Sequence, residues 1–484
     1  MRVLGNFPFE MFGPREEWPF EEVLSFGPSS GRRVGDAQFD YDIPFDGGEA
    51  SIHQLLSSLP AGFAPDAILL LWPDQEPIPR DLEQSPVPVI AIVSDYNLTL
   101  PFFLRSWPFF DLVLCDRPGL QVLGRMPFAR VEAACQYSFR PDVHRIYEDA
   151  SGKPIPRDID ISFVGNLNPE LQRERTSFLE RLRMLGDHCN VFVGSVAQGE
   201  PYGRMLSRSK IAFNRSIRGE MNLRAFEATA CGALLFMERE NTEVRDYFVD
   251  GEEVVLYSPD DLEEKLLYYV EHDEERERIA ERGHARVQHY RLANLLGQLP
   301  RLISEIDVHK RPRGDVLTLQ LGRGELLMPT WCNSEGSFIP LGYALRRAPH
   351  SPLVRNQIAV SMLWRHAHHV PPEQAFPHFA QATQIDPEYL PAHWNLYWIA
   401  QMSGNAPVAD TMLDAIAHTI EKDELSIAKF DGLMLPLGFS RSQREQASAW
   451  CETWRTGFTD PLLALHRDWL ARERARQEAE RAHA

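Results

Sequence analysis

The sequence predicts an α/β protein that ends in an all-α region. Three patterns carry this. Short apolar runs recur through the first two-thirds of the chain, helical patterns separate them, and beyond residue 334 the pattern is helical alone. Runs that are apolar on both faces read as buried parallel strands, and their alternation with helices reads as an open sheet.

In residues 1–149 the runs fall at 67–72, 87–93, 111–115 and 131–135, with helical pieces at 52–59 and 118–123. The stretch 14–48 is irregular, rich in Gly, Pro and Asp, and receives no assignment. A second α/β unit, residues 150–307, opens with a strand at 159–164. Helix 169–185, strand 190–193, helix 202–207 and strand 210–214 follow. Helix 221–231, strand 233–237, helix 242–248, strand 253–257 and helices 259–271 and 273–290 complete it. Two successive sheets imply a cleft between them, a preferred place for a ligand. Residues 308–334 read as a linker and 335–484 as a helical domain. Within that domain Ala375, Phe379, Ala382 and Pro387 carry the second-helix pattern of a tetratricopeptide repeat, and Asn395-Leu396 fits the start of another. A generic helical bundle is the alternative.

Composition narrows the class. Of 484 residues, 44% are hydrophobic and 25% charged, which is globular rather than disordered. Lys and Arg number 50 against 69 Asp and Glu, a net charge of −19. A chain-wide nucleic-acid or anionic-membrane binder carries the opposite balance, so neither partner is expected. The six cysteines form no CxxC pair and read as buried thiols. No apolar run approaches the ~20 residues of a membrane span, and the N-terminus lacks a signal core, so a cytoplasmic protein is expected. His366, His368 and His369 read as surface or packing residues. Trp394, Tyr397 and Trp398 read as a core stripe.

Chemistry concentrates between Lys210 and Gly232. A strand ends at Asn214, a polar turn follows, and a helix starts near Met221. A helix N-terminus at the carboxyl edge of a parallel sheet suits an anion, and Arg215, Arg218 and Arg224 add positive charge there. Glu227, three residues past Arg224, suits a pair of hydroxyl donors. The same spacing also suits an intrahelical Arg224–Glu227 pair on a solvated face.

Three stretches resemble GT-B glycosyltransferases, specifically the spore-maturation (CgeB-like) group related to glycosyltransferase families 1 and 4. They are Ser162-Phe163-Val164-Gly165-Asn166; Tyr202 with Leu206-Ser207 and Ser209 to Asn214; and Arg218 to Ala228 with Ala230 to Ala233. Glu243, Phe248, Gly251 to Glu253 and Tyr257 extend the match, which covers about 158–287 well and the first half weakly. The resemblance implies two Rossmann-like domains facing a cleft and transfer of a sugar from a nucleotide-sugar to an acceptor, without metal or other cofactor. It implies a donor site at Gly165, Asn166, Tyr202, Asn214, Arg218, Asn222, Arg224 and Glu227. Arg218 would stabilise the leaving diphosphate, with Arg224 next, and Glu227 would hold the ribose. The first Glu of the family's E-x7-E pattern falls on Gly219, a departure from it. The pairs Asp40/Asp42 and Asp158/Asp160 read as loop or strand-edge carboxylates rather than metal ligands. In an inverting transfer Asp95, at the expected cleft edge, is the candidate base, and Asp74 the second; capping a turn is the other reading of Asp95. The repeat domain would bind a protein acceptor or partner. A nucleotide-sugar epimerase and a non-catalytic scaffold are the rival readings.

Overall fold

The computed structural model describes residues 1–421 except 35–36, 47–49, 75, 77, 95–101, 136, 168–172, 217–218, 329–333 and 367–371. Beyond these it describes 432–433, 475, 478–479 and 481–482. Asp95, Arg218, His368 and His369 therefore lie outside the described residues.

The first lobe holds β1 (Arg2–Gly5), β2 (Glu22–Gly27), β3 (Arg32–Val34), β4 (Ala37–Phe39), β5 (Ile43–Pro44), β6 (Ala67–Leu71), β7 (Val89–Ile92), β8 (Leu112–Cys115) and β9 (Val131–Ala133). Seven of them form a parallel sheet in the order β5-β2-β1-β6-β7-β8-β9, and β3 and β4 form a small antiparallel ribbon. Every residue of β6, β7 and β8 is buried, which is why these strands read as unbroken apolar runs. β1 and β2 escaped sequence reading. β1 has only Val3 and Leu4 as an apolar signal, and β2 carries a buried Ser25 whose backbone and hydroxyl bond Asp42.

The second lobe holds β10 (Ile159–Val164), β11 (Val191–Gly194), β12 (Ser209–Phe213), β13 (Leu234–Glu238) and β14 (Val255–Tyr257), parallel in the order β11-β10-β12-β13-β14. All carboxyl ends thus share one edge. The chain turns from one side of β10 to the other between β11 and β12, so the topological switch lies between β10 and β12. In the first sheet it lies between β1 and β6.

Helices Leu292–Leu295 and Leu299–Ser304 return to the first lobe. There Leu292, Leu296, Leu299, Leu302 and Ile303 pack with Val3, Leu69, Ile90 and Leu112. The stretch read as a linker contains helix Val316–Leu327. Its two internal glycines weakened the helical signal, and each makes room for a neighbour. A Cβ on Gly322 would meet Arg105 O at 2.1 Å, and one on Gly324 would meet Leu341 Cγ at 2.6 Å. Arg311, just before it, is buried and pairs with Asp111 at 2.6 Å. One core runs from the first sheet through this helix into the helices beyond.

Those helices, Phe338–Arg347, Pro352–His366, Pro372–Ile385, Leu390–Met402 and Ala406–Glu421, pack on their neighbours in sequence. Ala375, Phe379, Ala382, Trp394, Tyr397 and Trp398 are all buried.

Candidate functional site

At the switch point of the second sheet, Arg224 ties two strand ends together. Its Nε donates to Val164 O at 2.7 Å, the last residue of β10, and its Nη1 donates to Asn214 Oδ1 at 2.9 Å, just past β12. The guanidinium lies over the Phe163 ring, 4.2 Å from the centroid. Gly165 leaves the space: a Cβ there would meet Arg224 Nη2 at 2.1 Å. Asn222 caps helix Leu223–Ala230 by accepting from Ala225 N–H, and its amide exchanges hydrogen bonds with Asn214 at 2.9 and 3.1 Å. Gly165, Asn214, Asn222 and Arg224 thus form one cluster. Asn166 is exposed on the loop after β10.

A second group lies further along the same helix. Glu227 Oε2 accepts from the Tyr202 hydroxyl at 2.7 Å, and Glu227 Oε1 is 3.6 Å from His144 Nε2. Arg224 turns to the strand ends rather than to Glu227, so the intrahelical pair allowed by spacing does not form. His144 Nδ1 accepts from Arg140 N–H, which leaves Nε2 carrying the ring proton toward Glu227. Burial lowers the His144 pKa against the pull of Glu227. Burial, then the Glu227 charge, raise that of Tyr202 well above its ordinary value.

Several residues escaped sequence reading. Arg175 is buried, with Nε and Nη2 donating to Arg215 O at 3.0 and 2.6 Å. Burial, then the charge of Arg224, pull its pKa down to about 9. Arg175 and Arg224 thus lie together beside Phe163, with the buried carboxylates Glu220 and Glu238 acting on Arg175 and Glu227 and Glu238 acting on Arg224. Among the many arginines of its helix, Arg175 carried no distinguishing signal. Glu238, ending β13, accepts from Ser216 N–H at 3.0 Å, and Ser216 Oγ accepts from Gly219 N–H at 2.9 Å. Gly219 has φ +80°, a left-handed turn that a Glu would enter only under strain. The departure from E-x7-E is therefore built into the turn. Glu243, part of the sequence match but given no role there, bridges the lobes, accepting from Met221 N–H at 2.9 Å and from Arg117 N–H of the first lobe at 3.0 Å.

In the first lobe, Asn6 joins the strand ends at the switch point through Leu71 O and N–H. Trp72 follows at φ +46°, a strained conformation for a non-glycine residue. Phe7, Leu71, Trp72, Ile92, Leu292 and Leu296 line, together with Leu223 of the second lobe, a cavity of about 20 Å³. Asp74 is fully buried. Asp42 is held by Ser25 and Arg15, Asp158 by Arg208 and Asp160 by Lys210. Among the described residues no group of three or more His, Cys, Asp or Glu is placed to hold a metal ion, and no helix is long and apolar enough to cross a membrane.

Residues 158–299 match the family model described as glycosyl transferase-like. The match spans the second lobe and the first returning helix, and of the residues clustered around Arg224 and Glu227 only His144 falls outside it. No curated protein matches. Among solved structures, a sucrose-phosphate synthase from Thermosynechococcus elongatus is 14% identical with a TM-score of 0.41, over 63% of this chain and 98% of its own. An alpha-glucosyltransferase in complex with UDP-glucose and abasic DNA is 11% identical with a TM-score of 0.43, over 63% and 98%. Anabaena HepE, in complex with UDP and glucose, is 12% identical with a TM-score of 0.36, over 50% and 78%. At these values the likeness fixes neither donor nor acceptor.

Proposed function

We propose that the protein transfers a sugar from a nucleotide-sugar to an acceptor hydroxyl, with the donor held on the glycosyl transferase-like lobe. The observation that carries this reading is the arginine pair at the switch point, Arg224 and Arg175 beside Phe163, at the carboxyl edge of a parallel sheet. Two guanidiniums fixed side by side at that edge suit a diphosphate. As the bond from the sugar's anomeric carbon to the phosphate oxygen breaks, the electron pair leaves with the diphosphate, and preorganised cations stabilise that charge. In our reading Arg218 serves this role, with Arg224 next. No metal is needed for it. The ribose diol donates to Glu227, which Tyr202 and His144 hold in place. Asp95 is the proposed base if transfer inverts the anomeric centre. Kinship with the spore-maturation group, tetratricopeptide character in the helical region and a protein acceptor belong to the same proposal.

The test is a thermal-shift screen with UDP, GDP and TDP and their sugars, followed by product analysis with and without acceptor. Stabilisation by a nucleotide and acceptor-dependent sugar transfer are expected. Sugar interconversion without acceptor would mean an epimerase, and no stabilisation by any nucleotide would mean a scaffold. Glu227→Ala is expected to weaken nucleotide binding while the chain stays folded; unchanged affinity removes Glu227 from the site.

A further inference from the structure

A cavity of about 190 Å³ lies where the first lobe meets the helical region. At about 30 Å³ per molecule of liquid water it has room for about six waters. That is too small for a nucleotide-sugar and is the size of a small metabolite. Its wall carries two charges of each sign, Arg80, Asp81 and Glu83 from the first lobe and Arg323 from helix Val316–Leu327. The floor is apolar, Phe109 and Leu319 with Pro340 of helix Phe338–Arg347. Ile339 and Tyr343, one turn apart on that helix, stand 44% and 56% exposed and mark the mouth.

The wall is preformed. Arg323 Nη1 donates to Pro79 O at 3.2 Å, and Gly322 and Gly324 on either side of it let the helix lie against Arg105 and Leu341. The Arg80 main chain accepts from Ile52 N–H at 2.7 Å and donates to Ala50 O at 2.9 Å. Asp81 stands at φ +63° before the turn Leu82–Gln84, and its carboxylate makes no cap bond to that turn. It meets Arg80 Nε at 3.2 Å instead, a partly exposed contact of little energy that opens readily. Glu83 is half-buried, and burial chiefly, then the Asp81 charge, raise its pKa above the ordinary carboxylate range. A carboxyl in that position gains from a cation placed beside it. A ligand of one charge sets like charges of the wall against itself, whereas a zwitterion with an apolar body meets every component. Arg80 and Asp81, adjacent in the chain and in contact, place opposite charges as close together as two substituents of one carbon.

We propose that this cavity binds a free α-amino acid with an apolar side chain. Asp81 and Glu83 accept from its ammonium, Arg80 and Arg323 donate to its carboxylate, and Phe109, Leu319 and Ile339 take its side chain. Because the wall is drawn from both the first lobe and the helical region, the bound amino acid ties the two together and raises the unfolding temperature. The inference does not depend on the transferase reading.

The test is titration calorimetry on the full chain with leucine, methionine and phenylalanine. The tightest of the three is expected to bind with a Kd below about 1 mM, and binding by none of them overturns the proposal. Its analogue without the carboxylate and its analogue without the ammonium, for leucine 3-methylbutylamine and 4-methylpentanoate, are expected to bind at least tenfold more weakly. An analogue that binds as tightly as the parent overturns the proposal. Glu83→Gln should weaken the amino acid at least tenfold. Ile339→Trp fills the mouth from an exposed position, removes no charge and should abolish binding. Both side chains reach solvent, so both variants are expected to keep the fold, which circular dichroism checks. Unchanged affinity in either folded variant overturns the proposal. The analogue series needs no variant and decides the matter if one fails to fold.

Discussion

A single methyl group tests the arginine cluster. In Gly165→Ala the new Cβ would lie 2.1 Å from Arg224 Nη2 and 3.2 Å from its guanidinium carbon. Ordinary contact begins near 3.4 Å, so the nitrogen must retreat by about 1.3 Å, the difference between 3.4 and 2.1. The guanidinium has little room to do so, because it is pinned to Val164 O at 2.7 Å and Asn214 Oδ1 at 2.9 Å and lies on Phe163. A displacement of that size breaks at least one of the two charge-assisted bonds. Each is worth about 1.5–3 kcal/mol. If Arg224 meets the diphosphate, the same displacement weakens nucleotide binding by a similar amount, roughly 10- to 150-fold. Titration calorimetry, with the nucleotide that stabilises the unaltered protein most, measures the affinity, and thermal unfolding measures the cost to the fold. A lower Tm with unchanged affinity would refute the placing of the diphosphate on Arg224. An unchanged Tm would refute the close approach itself.

Three further outcomes are expected from the geometry. Gly219→Glu, which restores the family's carboxylate pattern, places a side chain at φ +80° and is expected to cost about 1–2 kcal/mol without raising activity; a gain in transferase rate would contradict this. Arg311→Met leaves Asp111 buried without its partner and is expected to cost about 3–5 kcal/mol in urea unfolding, and a loss well below that range would count against the pair as an anchor. His144 is held neutral by burial, so its folded-state pKa lies below the ordinary value. As pH falls through about 6.5 the unfolded chain takes up a proton that folded His144 does not. Stability is thus fully present above that pH and declines below it, down to the folded pKa. Between about pH 7.5 and about pH 5.5, His144→Gln is expected to lose less stability than the unaltered chain, and an equal loss would remove His144 as a contributor.

Much of the architecture was legible because the central strands β6, β7, β8 and β13 are buried along their whole length. The strands predicted at 67–72, 87–93 and 159–164 fall on β6, β7 and β10 to within two residues at each end. Legibility failed where a strand is short or carries buried polar residues, as in β1 and β2. It failed also where glycine means proximity rather than flexibility. The polar stretch His309 to Gly314 made 308–334 resemble a linker, yet Gly322 and Gly324 further on allow a helix to lie against Arg105 and Leu341.

The site divides along the same line. Asn214, Asn222 and Arg224 were readable because strand, turn and helix follow one another directly in sequence, and local order brings them together. Arg175, His144 and the pair Glu238 and Glu243 come from three other stretches, and only the fold brings them near this turn and helix. At the E-x7-E departure, sequence and fold point in opposite directions. In sequence, Gly219 is a missing carboxylate and argues for lost function. In the fold its N–H is held by Ser216, which Glu238 holds in turn, and its carbonyl accepts from Thr242 at 2.8 Å. Thr242 adjoins Glu243, whose carboxylate reaches Arg117 in the opposite lobe. The glycine is thus one link in a chain of bonds from the arginine edge to the first lobe. A glutamate placed there has to break that chain before it can touch a ligand.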